Sequence, residues 1–179
     1  MIITNKSPGK ISYSGLGEKQ VNTLHQLITN SLSSKPFILI SVVGNKGIGK
    51  SLLGKYFRNK GIGEISPKKI SVIDDDNMAV DFLWFFRRWK KIPCVGIDEL
   101  QPFMKYCKKK SVLIYIKSNP EGRISKADIV LRLTTGEQER RQRLIKRDGL
   151  EKGTWEFIKT QKYSSEIKID FDYIMTAII

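Results

Sequence analysis

Histidine and cysteine are almost missing from this chain: His25 is the only histidine, and Cys94 and Cys107 are the only cysteines, in 179 residues. Two cysteines in strand-like and helix-like runs do not make a disulfide framework, and they fit a reducing, cytoplasmic setting. His25 lies beside Leu24 on a helical pattern, which gives it a packing role rather than a catalytic one. No apolar run approaches the roughly 18–20 residues of a membrane span. Residues Met1 to Gly9 lack the apolar core of a secretory leader. Internal repeats and low-complexity stretches are absent as well. Acidic residues are scarce beside basic ones, 18 against 32, and the formal net charge is +14. Such a chain attracts anions: nucleotides, phosphorylated substrates, nucleic acid or an acidic protein. A solvated lysine-rich surface is the plain alternative.

What remains is an ordinary globular composition, 40% hydrophobic and 28% charged, at a length that suits one domain. Its most informative stretch is Gly44-Asn45-Lys46-Gly47-Ile48-Gly49-Lys50-Ser51, a complete G-x-x-x-x-G-K-S phosphate-binding loop. The run before it, Phe37 to Val43, is short, apolar and β-rich, as a buried parallel strand is. The run after it, from Lys50 through Leu52 to Phe57, can start a helix. Glycines let the backbone wrap a triphosphate with its N–H groups turned inward, and the helix N-terminus adds positive potential. In this motif Lys50 reaches the β- and γ-phosphates and Ser51 ligates Mg²⁺. ATP and Mg²⁺ are therefore the expected ligands.

The rest of the chain alternates in the same manner. Residues 1–16 read as an extended arm, with an edge strand near residues 10–13. From Gly17 to Leu32 the apolar positions Val21, Leu24, Ile28 and Leu32 fall at helical spacing, and Ser33-Ser34-Lys35-Pro36 ends that helix. Strands are expected at 69–73, 92–97, 112–116, 128–133 and 171–175. Helices are expected at 81–89 (aromatic), 101–110 (basic), 137–147 (charged) and 154–162. Strands alternating with helices predict an α/β fold, a parallel sheet of about five strands with helices on both faces.

In such sheets ligands bind at the C-terminal strand ends. Two acidic groups follow strands there: Asp74-Asp75-Asp76 after the second, and Asp98-Glu99 after the run Ile92 to Ile97. An acid after an apolar strand can hold the Mg²⁺ water shell, which makes Asp98 or Glu99 the expected metal partner of Ser51; a helix N-cap by Asp98 is the bland reading. Phosphoryl transfer to a hydroxyl needs a carboxylate to orient the acceptor, and one of the three consecutive aspartates fits that task. Arg140, Arg143 and Arg147 share one helical face. They read either as a solvated, salt-bridged face or as a lid whose guanidiniums close on phosphate.

With those residues in view, the segment 37–176 resembles P-loop nucleoside-kinase-like proteins, of the uridine kinase and dephospho-CoA kinase type. The resemblance rests on the loop and on the stretch Arg143-Leu144-Ile145-Lys146-Arg147-Asp148 followed by Glu151-Lys152-Gly153. It implies a three-layer P-loop fold, with residues 17–179 forming one kinase-like domain and a lid at about 136–153. It implies phosphate binding by residues 44–52, acceptor activation by Asp76, an acid at Glu99, and lid arginines at Arg143 and Arg147. The implied activity is transfer of the ATP γ-phosphoryl group to a nucleoside-like or other small hydroxyl acceptor. The family's aromatic pair after the acceptor aspartate is replaced here by Asn77-Met78.

Three other readings stand beside it. A mechanochemical or regulatory ATPase would use the acids Asp98-Glu99 and a sensor strand running into Lys117-Ser118-Asn119. A polynucleotide 5′-hydroxyl kinase would join the same core to the +14 charge. A kinase-like scaffold would bind nucleotide without turnover. The aromatic run Phe82 to Trp89 either packs on the sheet, stacks on a flat substrate, or, as a helix with too many apolar positions for one face, offers a homo-oligomer surface.

Overall fold

Each strand of the core is an apolar run that an intervening segment returns to the same end of the sheet, so the strands lie parallel. The computed structural model describes residues 2–3, 15–75, 79–82, 85–88, 96–97, 99–101, 103–107, 109–148 and 166–179. Its strands are Ile2–Ile3 (β1), Ile38–Val43 (β2), Ile70–Asp74 (β3), Ala79–Phe82 (β4), Phe85–Arg88 (β5), Val112–Ile116 (β6), Lys126–Thr134 (β7) and Asp170–Ile178 (β8). Its helices are Glu18–Ser34 (α1), Lys50–Lys60 (α2), Met104–Cys107 (α3) and Glu137–Asp148 (α4). The sheet order is β1-β8-β7-β2-β6-β3-β4-β5. The five central strands, β8-β7-β2-β6-β3, are all parallel, and β1 joins β8 in parallel. The fold is α/β, as the alternation of strand and helix patterns predicts.

Alternation along the strands separates two cores. Ile38, Ile40 and Val42 of β2 face α1 and α2, where they meet Leu24, Ile28, Leu53 and Phe57. Leu39 and Val43 face the other way, towards Leu100, Phe103 and Cys107 beside α3. Helix α1 follows the sequence spacing closely: Leu24 and Ile28 are fully buried, and its end at Ser34 lies two residues past the expected one. Helix α2 lies close to the sheet because Gly54 has no Cβ; a methyl there would strike Ile116 and come within 3.1 Å of Val72.

Two sequence expectations are corrected. The aromatic stretch 81–89 is not a helix: β4 and β5 form an antiparallel hairpin, with Phe82 opposite Phe85 and Asp81 opposite Phe86, at the edge beyond β3. Six apolar residues in eight cannot share one helical stripe, whereas aromatics suit the pleated surface of a strand. The proposed oligomer helix is therefore absent. The basic helix expected at 101–110 contracts to the single turn α3. The edge strand at residues 10–13, most of the strand at 92–97 and the helix at 154–162 fall outside the described residues. Among the described residues no helix is long and apolar enough to cross a membrane.

Candidate functional site

The loop Gly44–Gly49 leaves the C-terminal end of β2, between β6 and β7, and enters α2 at Lys50. The connection from β2 runs to β3 on one side and the connection from β6 runs to β7 on the other, and such a reversal is where open α/β sheets form a ligand crevice. The loop needs its glycines. Gly44, Gly47 and Gly49 have φ of 140°, 88° and 97°, a region that costs other residues about 1–2 kcal/mol. Space forbids side chains too: a Cβ on Gly44 would lie 2.5 Å from the Leu133 carbonyl oxygen, and one on Gly47 2.6 Å from Leu144. Ile48 anchors the loop in the core at 1% exposure.

Lys50 is buried, and its ammonium lies inside the loop. Its Nζ donates to the Gly44 carbonyl (2.8 Å), the Asn45 carbonyl (3.2 Å) and Ser118 Oγ (3.0 Å). Those three acceptors match the three protons of an ammonium. Ser118 follows β6, the strand beside β2, so a hydroxyl stands at the strand end next to the loop. Ser51 lies one turn before Gly54, on the same side of α2. Asp74 ends β3 on the α2 face, as Ile70 and Val72 do. Three helix residues rise about 4.5 Å from Gly54 to Ser51, and two strand residues rise about 6.6 Å from Val72 to Asp74. Ser51 and the buried Asp74 thus both lie towards the loop end of α2 and β3.

Helix α4 packs on the loop from outside. Leu144 is fully buried and fills the space above Gly47. Arg143 Nη1 donates to the Ile48 carbonyl (3.3 Å) while its Nη2 is held by Glu139 (2.8 Å). Arg140 is clamped in fork geometry by Glu137, at 3.0 and 2.8 Å, and its Nη1 donates to the Lys46 carbonyl at 3.3 Å. Arg147 belongs to the same helix.

On the sheet's other face, Asp75 accepts from Tyr115 Oη (2.9 Å) and Lys117 Nζ (2.6 Å), with the Arg123 Nε at 3.6 Å. Burial opposes its charge. The Lys117 and Tyr115 hydrogen bonds and the Lys117 and Arg123 charges outweigh burial and hold its pKa below the ordinary carboxylate value. Burial and the Asp75 charge push the Tyr115 phenol upward.

Glu99 is not brought to the loop. Its carboxylate accepts from the Ser125 backbone N–H at 3.2 Å and from the Ser125 hydroxyl. Ser125 precedes β7, whereas the loop follows β2, whose last residue Val43 pairs with Arg132. About seven strand residues, roughly 23 Å, separate those levels. The reason is strand order: β6, not residues 92–97, is the neighbour of β2 on that side. Asp76 and Asp98 lie outside the described residues. Sequence reasoning missed Leu144 as part of the site and named Ser118 only within the sensor strand of the ATPase reading; a hydroxyl just past an apolar strand was the signal for it.

No family model, curated protein or solved structure matches the chain.

Proposed function

We propose that this chain binds ATP with Mg²⁺ at residues 44–52 and transfers the γ-phosphoryl group to a hydroxyl of a small, nucleoside-like acceptor. One observation carries the reading: a loop turned by three glycines of positive φ, two of which admit no side chain, encloses a buried lysine ammonium at a helix start. A triphosphate would take over that ammonium from the Gly44 and Asn45 carbonyls. Backbone N–H groups of the loop and the N-terminus of α2 would complete the anion cradle. Ser51 and Asp74 are the oxygen donors on the face where Mg²⁺ fits, and the metal would supply charge neutralisation at the phosphates. Arg143, already on the loop, is positioned to turn its guanidinium onto the transferring group. Acceptor orientation belongs to the aspartates that end β3, with Asp76 the residue the family resemblance favours.

Calorimetric titration with ATP·Mg²⁺ tests the binding. Lys50→Ala removes charge-assisted hydrogen bonds worth about 1.5–3 kcal/mol, a loss of roughly 10- to 150-fold in affinity; unchanged affinity refutes the site. Labelled ATP with a panel of nucleosides, coenzyme precursors and oligonucleotides tests the transfer. Label appearing only in free phosphate refutes the kinase reading in favour of an ATPase.

A second reading has its own support. The strand end beside the loop carries Ser118 rather than a carboxylate, which suits a protein that holds nucleotide without turning it over. Tight ATP binding with no label leaving ATP would select it.

A further inference from the structure

We infer that the N-terminal end of β3 and β6, at the far end of the sheet from the nucleotide loop, is a docking surface for the phosphate backbone of a nucleic-acid duplex. Ile70 of β3 pairs with Val112 of β6, so Lys68-Lys69 and Lys109-Lys110 enter adjacent strands side by side. Lys110 Nζ donates to the Lys68 carbonyl at 2.6 Å, which fixes the two segments together. Lys60 ends α2, and the next residue, Gly61, lies against Pro67 of the turn Pro67–Lys69. Lys60, Lys68, Lys69 and Lys109 are exposed.

Acids are few in the segments that carry these lysines. Glu64 is the only one between residues 52 and 73, and none lies between residues 101 and 120. None of Lys60, Lys68, Lys69, Lys109 and Lys110 forms an ion pair among the described residues. Like charges held side by side repel unless an anion lies over them. The contrast is on the same molecule: at the β7 and β8 entrances, Lys35 and Lys126 are paired with Asp128 and Asp172.

The chemistry favours phosphate over an acidic protein. Protein interfaces carry an apolar, often aromatic centre and are depleted in lysine. The exposed large hydrophobics of the described residues are Leu52, Ile97, Ile145, Phe171, Tyr173 and Ile178, and none belongs to this lysine cluster. Among the described residues, no exposed aromatic ring stands with these lysines to stack single-stranded bases. A surface of lysines alone binds by releasing counterions from a phosphate backbone.

Fluorescence anisotropy with a labelled 20-base-pair duplex, in excess ATP·Mg²⁺ to occupy the loop, tests this. Four phosphate contacts predict a log–log salt slope near −3.6 and affinity about 100-fold weaker at 200 mM than at 50 mM salt. Lys68→Glu with Lys69→Glu should lower the slope by about 2. Lys19→Glu with Lys168→Glu makes the same change in net charge at exposed sites outside the cluster and should leave the slope intact. Lys68→Gln with Lys69→Gln serves if the double glutamate does not fold, and should lower the slope in the same direction. Equal losses in both pairs, an unchanged slope in the first, tighter binding of single-stranded oligothymidylate, or displacement by polyglutamate at equal charge concentration would overturn the inference. Loss of ATP binding by Lys50→Ala with duplex binding retained separates this surface from the loop.

Discussion

Replacing Gly47 by alanine probes whether α4 truly closes on the loop. The new methyl lies 2.6–2.9 Å from three carbons of Leu144, at a backbone φ of +88°. The conformation costs about 1–2 kcal/mol for a non-glycine residue, and overpacking against a fixed side chain adds about 1–3 kcal/mol. Leu144→Ala alone costs about 3–5 kcal/mol, because Leu144 is fully buried. Together the two should cost less than their sum by about 1–3 kcal/mol, since the smaller residue leaves room for the methyl and only backbone strain remains. Gly49→Ala is the control. Its φ is +97°, but the nearest atoms to its Cβ are Ile179 at 3.6 Å and Arg143 at 3.9 Å. It should lose only the strain and add simply to Leu144→Ala. Urea unfolding reads these differences; with a slope of 1–3 kcal/mol/M, a coupling of 2 kcal/mol moves the midpoint by about 1 M. Additivity of Gly47→Ala and Leu144→Ala within about 0.5 kcal/mol would refute the packing of α4 on the loop.

Arg140→Ala takes a donor from the Lys46 carbonyl and should cost about 1–3 kcal/mol of stability, with weaker ATP binding because the loop loses a brace; urea unfolding and calorimetry check the two effects. Asp128→Ala should destabilise more than Lys35→Ala in the same unfolding assay. Asp128 Oδ2 accepts the Leu39 N–H at 2.6 Å, a bond worth about 1–3 kcal/mol when its partner is buried, whereas Lys35 contributes a half-exposed ion pair worth at most about 1 kcal/mol. The Asp75 carboxylate titrates below its ordinary value, so its contribution is present above about pH 4 and is lost as pH falls through its lower folded pKa. Asp75→Asn should therefore flatten the acid limb of stability against pH, and an unaltered acid limb would show that the Lys117 and Tyr115 bonds do not hold the charge.

Parts of this architecture are legible in the chain because local pattern decides them. The spacing of Val21, Leu24, Ile28 and Leu32 specifies α1, and the run Ile38–Val43 is buried at every position. The glycines of the loop are readable because their conformations and close contacts exclude other residues. The aromatic stretch misleads because residues 82–86 carry neither period clearly; pairing Phe82 with Phe85 across a two-residue connection is a tertiary choice. Strand order is invisible for a related reason. Residues 92–97 and 112–116 are apolar runs of similar length, and sequence alone does not say which lies beside β2. The same ambiguity leaves the sequence silent on where Glu99 stands, and its carboxylate is held by Ser125 rather than by the loop.

Charge is placed less evenly over the molecule than the total of +14 conveys. Many of the described acids are committed to named cations: Asp128 and Asp172 to Lys35 and Lys126, Asp75 to Lys117 and Arg123, Glu137 and Glu139 to Arg140 and Arg143. Such pairs fix geometry and leave little field outside them. At the loop, Lys50 and Arg143 already bond to backbone carbonyls, so the site keeps its positive groups poised without requiring a strongly basic surface. In the proposed reading, a single triphosphate would be matched by those two cations, the loop amides and a magnesium ion. It does not account for the lysines where β3 and β6 begin. In the reading proposed above, the excess charge serves the opposite end of the molecule, where lysines precede the adjacent strands β3 and β6 and a second anionic partner would be bound while the loop is full.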